Sequence, residues 1–301
     1  MTASVRTALG GADKSRSLAI FNEVWPRRAV TAAEVAAFER AMLDSAELLV
    51  SVEGEDVGSA AVGIAASQPD ACFALVTVLA HQRRRGAGGA LYDAVSRWAA
   101  THGLDVIETR AEADDEESYA YARRRGFEEQ WRETGFELDL RAARPRIEPV
   151  PGVEIVTLEQ RPDLEAAVYD VAVDALPGSP GYAWQPPGRE RFVDSHVRGA
   201  PVVLALADGQ VVAYAKLSVK GSTAEHGMTA VKRAWRGRGI ARSLKVAQIA
   251  WAQQHGFEKL TATNELRNEP IVRLNESLGY RRTVGRVGLR GPLSSARARQ
   301  A

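Results

Sequence analysis

The sequence is poor in cysteine, balanced in charge and without a long apolar stretch, and each shortage removes a class of protein. Its single cysteine, Cys72, excludes an intramolecular disulfide and a cysteine-rich zinc site, and it fits a reducing compartment. Lysine and arginine number 39 against 38 aspartates and glutamates, a formal net charge of +1. Such a balance provides no bulk field to gather nucleic acid or an acidic membrane surface. The longest apolar runs, such as Val202 to Ala207, are strand-sized and far too short to span a bilayer. Residues Met1 to Arg6 lack a basic segment leading into an apolar one, so no signal peptide is read there. The expectation is a soluble cytoplasmic protein, monomer or homodimer, with neither nucleic-acid nor membrane partners and no metal.

What is present is a repeat. Arg83-Arg84-Arg85-Gly86-Ala87-Gly88 matches Arg236-Gly237-Arg238-Gly239-Ile240-Ala241 at an offset of 236 − 83 = 153. Trp98-Ala99 and Trp251-Ala252 keep that offset, as do Gly126-Phe127 and Gly279-Tyr280, Val78 and Val231, and Leu91 and Leu244. Several anchors in one ungapped register across about 50 residues point to duplication of a whole domain rather than a solenoid. A chain of 301 residues, 45% hydrophobic, has the length and apolar content for two cores. Three prolines (Pro145, Pro149, Pro151) mark a linker, giving expected domains at 1–141 and 152–301 joined by 142–151.

Within each half the patterning puts helices first (after a strand at Val153 to Leu158 in the second half), then three strands in succession, a glycine-bearing basic turn, a long helix, a strand, a shorter helix and closing strands. In the first half Thr31 and Glu34 have capping-box spacing at the start of a helix reaching Leu43. Strands are read at Leu48 to Val52, Val57 to Ala65 and Cys72 to Leu79, with two closing strands near Phe127 to Trp131 and Phe136 to Leu140. The second half has strands at Val202 to Ala207, Val211 to Val219 and Thr223 to Val231, and ends in a hairpin. Three strands running together argue for an α+β fold with a mixed, mostly antiparallel sheet flanked by helices, not a doubly wound one. His102 and His255, each before a glycine, read as helix C-caps, and Glu112 to Glu117 as the solvated start of a helix.

The turns carry the chemistry. Free N–H groups at the start of a helix form an anion site, and glycine lets a phosphate approach the backbone. Neither turn ends in Gly-Lys-Ser/Thr, which excludes a Walker loop, and neither has the third glycine of the dinucleotide fingerprint. Arg83, Gly86 and Gly88, and again Arg236, Gly239 and Ala241, fit Arg/Gln-x-x-Gly-x-Gly/Ala. With the downstream Gly-Phe and Gly-Tyr pairs, both halves resemble the GNAT (GCN5-related N-acetyltransferase) superfamily over nearly the whole chain.

That resemblance implies two tandem acyl-CoA N-acyltransferase domains. Acetyl-CoA would be the cosubstrate, and the partner a small-molecule or peptide amine. It implies CoA contacts at Val78, Arg83, Arg84, Arg85, Gly86 and Gly88 in the first half. In the second half it implies Val231, Arg236, Gly237, Arg238, Gly239, Ile240 and Ala241, with Asn268 and Asn275 facing the pantetheine. Helix capping for Asn268 and an exposed polar position for Asn275 are the plainer readings. Glu225, six residues before Val231, is the candidate catalytic base, on parity grounds facing the same side as Val231; the plainer reading is a solvated strand-end residue. The family's tyrosine acid has no counterpart, since Ala122 and Asn275 stand at its place, and Tyr121, one position off, reads as core. Cys72 stands where the second half has Glu225, so the C-terminal half is expected to be the catalyst. The alternative is a non-catalytic CoA-binding or scaffold protein with one or both domains degenerate.

Overall fold

The computed structural model describes residues 3–65, 68–146, 148–175, 186–221 and 223–294. The first half runs β1 (Ala3–Thr7), α1 (Gly11–Val24), α2 (Ala32–Ala41), β2 (Met42–Val52), β3 (Glu55–Ala65), β4 (Gln68–Val78), α3 (Ala87–Thr101), β5 (Val106–Glu112), α4 (Glu116–Arg123) and β6 (Glu128–Asp139). The second half runs β7 (Glu154–Thr157), α5 (Ala167–Ala175), α6 (Arg189–Phe192), β8 (Val202–Ala207), β9 (Gln210–Lys220) and β10 (Thr223–Val231). It continues through α7 (Ile240–Gln254), β11 (Lys259–Glu265), α8 (Glu269–Ser277), β12 (Arg281–Thr283) and β13 (Arg286–Pro292). The repeat survives folding: α7 starts 240 − 87 = 153 residues after α3, and β11 starts 259 − 106 = 153 after β5.

Local sequence accounts for much of this. At the start of α2 the Thr31 hydroxyl accepts from the Glu34 N–H at 3.2 Å while the Glu34 carboxylate accepts from the Thr31 N–H at 2.7 Å, the capping box. His102 and His255 are the C-caps of α3 and α7. The apolar run Val202–Ala207 is buried on both faces of its strand, which is why it does not alternate. Val202, Leu204 and Leu206 meet Val168, Val171 and Phe192 on one side; Val203, Ala205 and Ala207 meet Ile240 and Leu244 of α7 on the other.

Packing divides the chain into two compact units that do not follow the expected boundary at 142–151. Among the described residues, unit 1 takes those up to Ala111, Asp115–Gln130 and those from Val287, and unit 2 takes Glu112–Asp114 and those between Trp131 and Arg286. Unit 1 has the strand order β1-β2-β3-β4-β5, with β13 beside β5. Unit 2 has β7-β8-β9-β10-β11, with β6 beside β11 and β12 on β6. The place next to each unit's β5-type strand is thus filled from the other half of the chain.

The expected closing hairpin is therefore not local, because β12 pairs with β6 while β13 joins unit 1. The two expected strands around Trp131 and Phe136 are one strand. Gly135 sits within it, where a Cβ would meet Thr283 Oγ1 at 2.3 Å. β1 was not anticipated at all. β4 pairs with β5, and β10 with β11, in parallel, whereas β1 to β4, β7 to β10, and β6 with β11 and β12 pair antiparallel, giving the expected mixed α+β sheet.

Candidate functional site

The parallel pairs barely hold together. β10 matches β11 only over Thr223 to Glu225, although the two strands continue to Val231 and Glu265. β4 matches β5 only at Cys72 and Phe73. Beyond those residues neighbouring strands part, and the opening faces the basic turn.

The two turns are built alike. Gly86 and Gly239 hold the N-cap positions of α3 and α7 with φ of 87° and 82°, a left-handed conformation that favours glycine. Arg83 Nε donates to the Val78 carbonyl at 3.3 Å, and Arg236 Nε donates to the Val231 carbonyl at 3.3 Å. One bond, repeated, pins each arginine to the end of the strand whose neighbour has parted from it. Open space lies where a Cβ on Gly86 or Gly239 would project. The first turns of α3 and α7 thus each begin at a left-handed glycine with arginines beside it, and the N–H groups of such a helix start next to guanidinium charge suit a phosphate.

In unit 1 the opening is a cleft of about 450 Å³. Val78, Arg83, Arg84, Gly86 and Gly88 line it, and Trp25 closes one side. Arg85 does not; it pairs with Glu53 at 2.7 Å. Tyr121, read from sequence as core, lines the cleft instead. Arg125 lies 3.5 Å from its ring centroid, and its buried hydroxyl has no partner. The acidic run is not simply solvated either: Glu117 accepts from Arg83 Nη1 at 2.8 Å and Arg84 Nε at 2.9 Å. Those guanidinium groups hold the Glu117 carboxyl below the usual carboxylate range.

Unit 2 differs at three points. First, no carboxylate reaches Arg236 or Arg238 among the described residues: Arg236 Nη2 donates to the Ala175 carbonyl at 2.6 Å, and Arg238 covers the Trp235 ring at 4.4 Å. Second, β10 carries a bulge between His226 and Thr229 that leaves Gly227 and Met228 out of the β9 ladder, whereas β4 pairs with β3 without interruption from Phe73 to Val78. The bulge also overturns the parity argument for Glu225. Ala224 packs with Ile249 on the α7 side and Val231 with Ile240 on that same side, so Glu225 faces the other way. There it is exposed, with Thr263 Oγ1 3.5 Å away, at the last paired position before the strands part.

Third, aromatic and aliphatic cleft-lining positions of unit 1 carry more polar residues in unit 2 at the repeat offset. Lys245 replaces Tyr92, Gln248 replaces Val95, Tyr280 replaces Phe127 and Asn275 replaces Ala122. The buried His226 ring is held between the Gln248 amide, 2.7 Å from Nδ1, and the Tyr280 hydroxyl at Nε2. Asn275 donates to Asn264 Oδ1 at 2.6 Å and is fully buried, its own Oδ1 without a partner, so the exposed reading fails. Asn268 is the N-cap residue of α8, yet its side chain makes no capping bond.

Lys245 is 2% exposed, and burial lowers its ammonium from 10.5 to about 7. From pH 7 to 10.5 the unfolded chain keeps a proton that the folded chain has released, so stability rises with pH across that window. Below pH 7 the penalty is complete and constant. Lys245→Met is expected to raise stability at pH 7 by at least about 2 kcal/mol. It is also expected to flatten the alkaline rise, read by thermal melting from pH 6 to 10.

A mixed sheet with a parting parallel pair at its centre, set against a basic, glycine-capped helix start and built twice, defines a duplicated acyltransferase-type fold. The family model described as "Acetyltransferase (GNAT) family" matches residues 17–127 and 165–280, and the chain belongs to that family. A GCN5-related N-acetyltransferase from Sphaerobacter thermophilus superposes with TM-score 0.76 at 19% identity, covering 96% of this chain and 95% of that one. A tandem GNAT protein from the clavulanic acid biosynthesis pathway gives TM-score 0.76 at 19% identity over 98% of this chain and 100% of that one. At such identities the likeness establishes the fold. No curated protein matches the chain.

Proposed function

We propose that the chain transfers an acyl group, acetyl in the first instance, from a CoA thioester to an amine by direct attack, with unit 2 as the principal catalyst. The observation that carries the reading is the doubled turn: glycine-capped helix, arginine pinned to the strand end, parted strands beneath. The pyrophosphate is assigned to the N–H groups of Gly237 to Ala241, with Arg236 and Arg238 beside it. Glu225 would take the proton from the amine, and nitrogen would attack the thioester carbonyl as the carbon–sulfur bond breaks. The bulge leaves Gly227 and Met228 out of the β9 ladder, and their main-chain N–H groups would stabilise the oxyanion. The departing thiolate collects a proton from water. Unit 1 lacks the bulge and the carboxylate: its β4 pairs with β3 without a shift from Phe73 to Val78, and buried Cys72, its thiol pushed up by burial to about 11, stands at the repeat position of Glu225.

The cleft of unit 1 favours a second reading for that unit alone, CoA binding without turnover. Thiol release from acetyl-CoA over a panel of small amines and N-terminal peptides tests the proposal. Amine-dependent release that falls at least about tenfold in Glu225→Gln is expected from loss of a general base. Release that is absent with every amine, or unchanged in the variant, would refute the transfer or the base respectively.

A further inference from the structure

In unit 1 the arginines of the glycine turn already pair with a carboxylate of the protein itself. Glu117 stands on the first turn of α4, and its two carboxylate oxygens are divided between Arg83 and Arg84, the pair that flanks the Gly86 turn. All four residues line the same cleft. The repeat supplies the comparison: the counterpart of Glu117 is Pro270, and the counterpart of Arg84 is Gly237. Unit 2 therefore has neither the carboxylate nor the second arginine that binds it.

The backbone adds an independent sign. Arg84 has φ of 63°, in the left-handed region, where unit 2 uses glycine with φ of 77°. A non-glycine residue in that region is strained and is retained where its side chain is needed. The Arg84 side chain, aimed from that strained position, ends on Glu117.

We infer that the Glu117 carboxylate occupies the phosphate position of unit 1, so that unit 1 takes up an acyl-CoA only by displacing it and is the weaker of the two sites. The inference rests on the reading of the glycine turns as CoA sites. Removing the internal competitor leaves Arg83 and Arg84 for the ligand. The gain is modest, because the two pairs are partly exposed and screened by solvent.

The test uses the full chain and acetyl-CoA, with hydrogen exchange read separately at the peptides spanning Arg83 to Leu91 and Arg236 to Leu244. In Glu117→Gln the acetyl-CoA concentration giving half protection at the first turn is expected to fall about tenfold, with the second turn unchanged. The Glu117 side chain is 41% exposed, so the isosteric change leaves the fold intact. Glu53→Gln removes an equal charge from Arg85, which is outside the cleft lining, and is expected to shift the first turn less than about threefold. Equal half-protection concentrations in Glu117→Gln and the wild type, or a similar shift in Glu53→Gln, would overturn the inference while leaving CoA binding standing. Protection at neither turn in any of the proteins would remove the CoA reading and the inference with it.

Discussion

Gly239→Glu is expected to weaken acetyl-CoA binding at the second turn at least about a hundredfold, or about 2.7 kcal/mol, and to abolish turnover. Two effects act together. The new carboxylate would occupy the helix start meant for phosphate, and its charge opposes both the ligand and the arginines' role. Open space around Gly239 means the added side chain meets no wall, but φ of 82° makes any L-residue strained there. Gly239→Ala carries the same backbone strain, about 1–2 kcal/mol, without the charge. The alanine variant is expected to lose less than about tenfold in affinity, and the difference between the two isolates the electrostatic part. Gly86→Glu is the matched change in unit 1; it is expected to remove binding at the first turn and leave most turnover intact. Titration calorimetry and amine-dependent thiol release on all three proteins read these outcomes. Loss of turnover only in Gly86→Glu would move catalysis to unit 1.

A chain ending at Arg286 is expected to unfold the unit built mainly from the opposite end of the sequence. β13 belongs to unit 1, where Val287 and Leu289 are 1% and 2% exposed. Burying two such side chains contributes about 1.5–3 kcal/mol each. Removal also strips β5 of its neighbouring strand, takes the Pro292 carbonyl from the Tyr92 hydroxyl (2.8 Å), and breaks the Arg290 pair with Glu108 (2.8 Å). Together these losses exceed about 5 kcal/mol, the scale of a whole domain's stability. Hydrogen exchange should show α3 (Ala87–Thr101) unprotected while α7 (Ile240–Gln254), much nearer the cut in sequence, stays protected. Loss of protection in α7 with α3 intact would contradict the strand exchange.

The duplication, the strand order before each turn and the turns themselves were legible because each is written locally. Glycines mark positive φ, basic residues surround them, and a 153-residue offset repeats the set. What escaped the sequence is what depends on partners far along the chain. The exchange of β6 and β13 leaves no local mark, since either half could close its own sheet with an equally suitable strand. The bulge in β10 could not be counted, so parity carried across it placed Glu225 on the wrong face. Tyr121 was assigned by helical angle alone, which says nothing of how wide the neighbouring strands have parted. Glu117 looked like one acid in a solvated run; only the fold brings it to Arg83 and Arg84. Lys245, at a position where unit 1 has tyrosine, carried a signal that the repeat alignment itself could have exposed: a charge replacing an aromatic residue on a helix face otherwise turned toward the core.

The most direct measurement is a crystal structure of the full chain grown with acetyl-CoA. The account predicts pyrophosphate oxygens at about 3 Å from main-chain nitrogens between Gly237 and Ala241, and the thioester beside Gly227 where β10 and β11 part. Acetyl-CoA bound away from both glycine turns, or a second turn left empty while the ligand is held elsewhere, would contradict it.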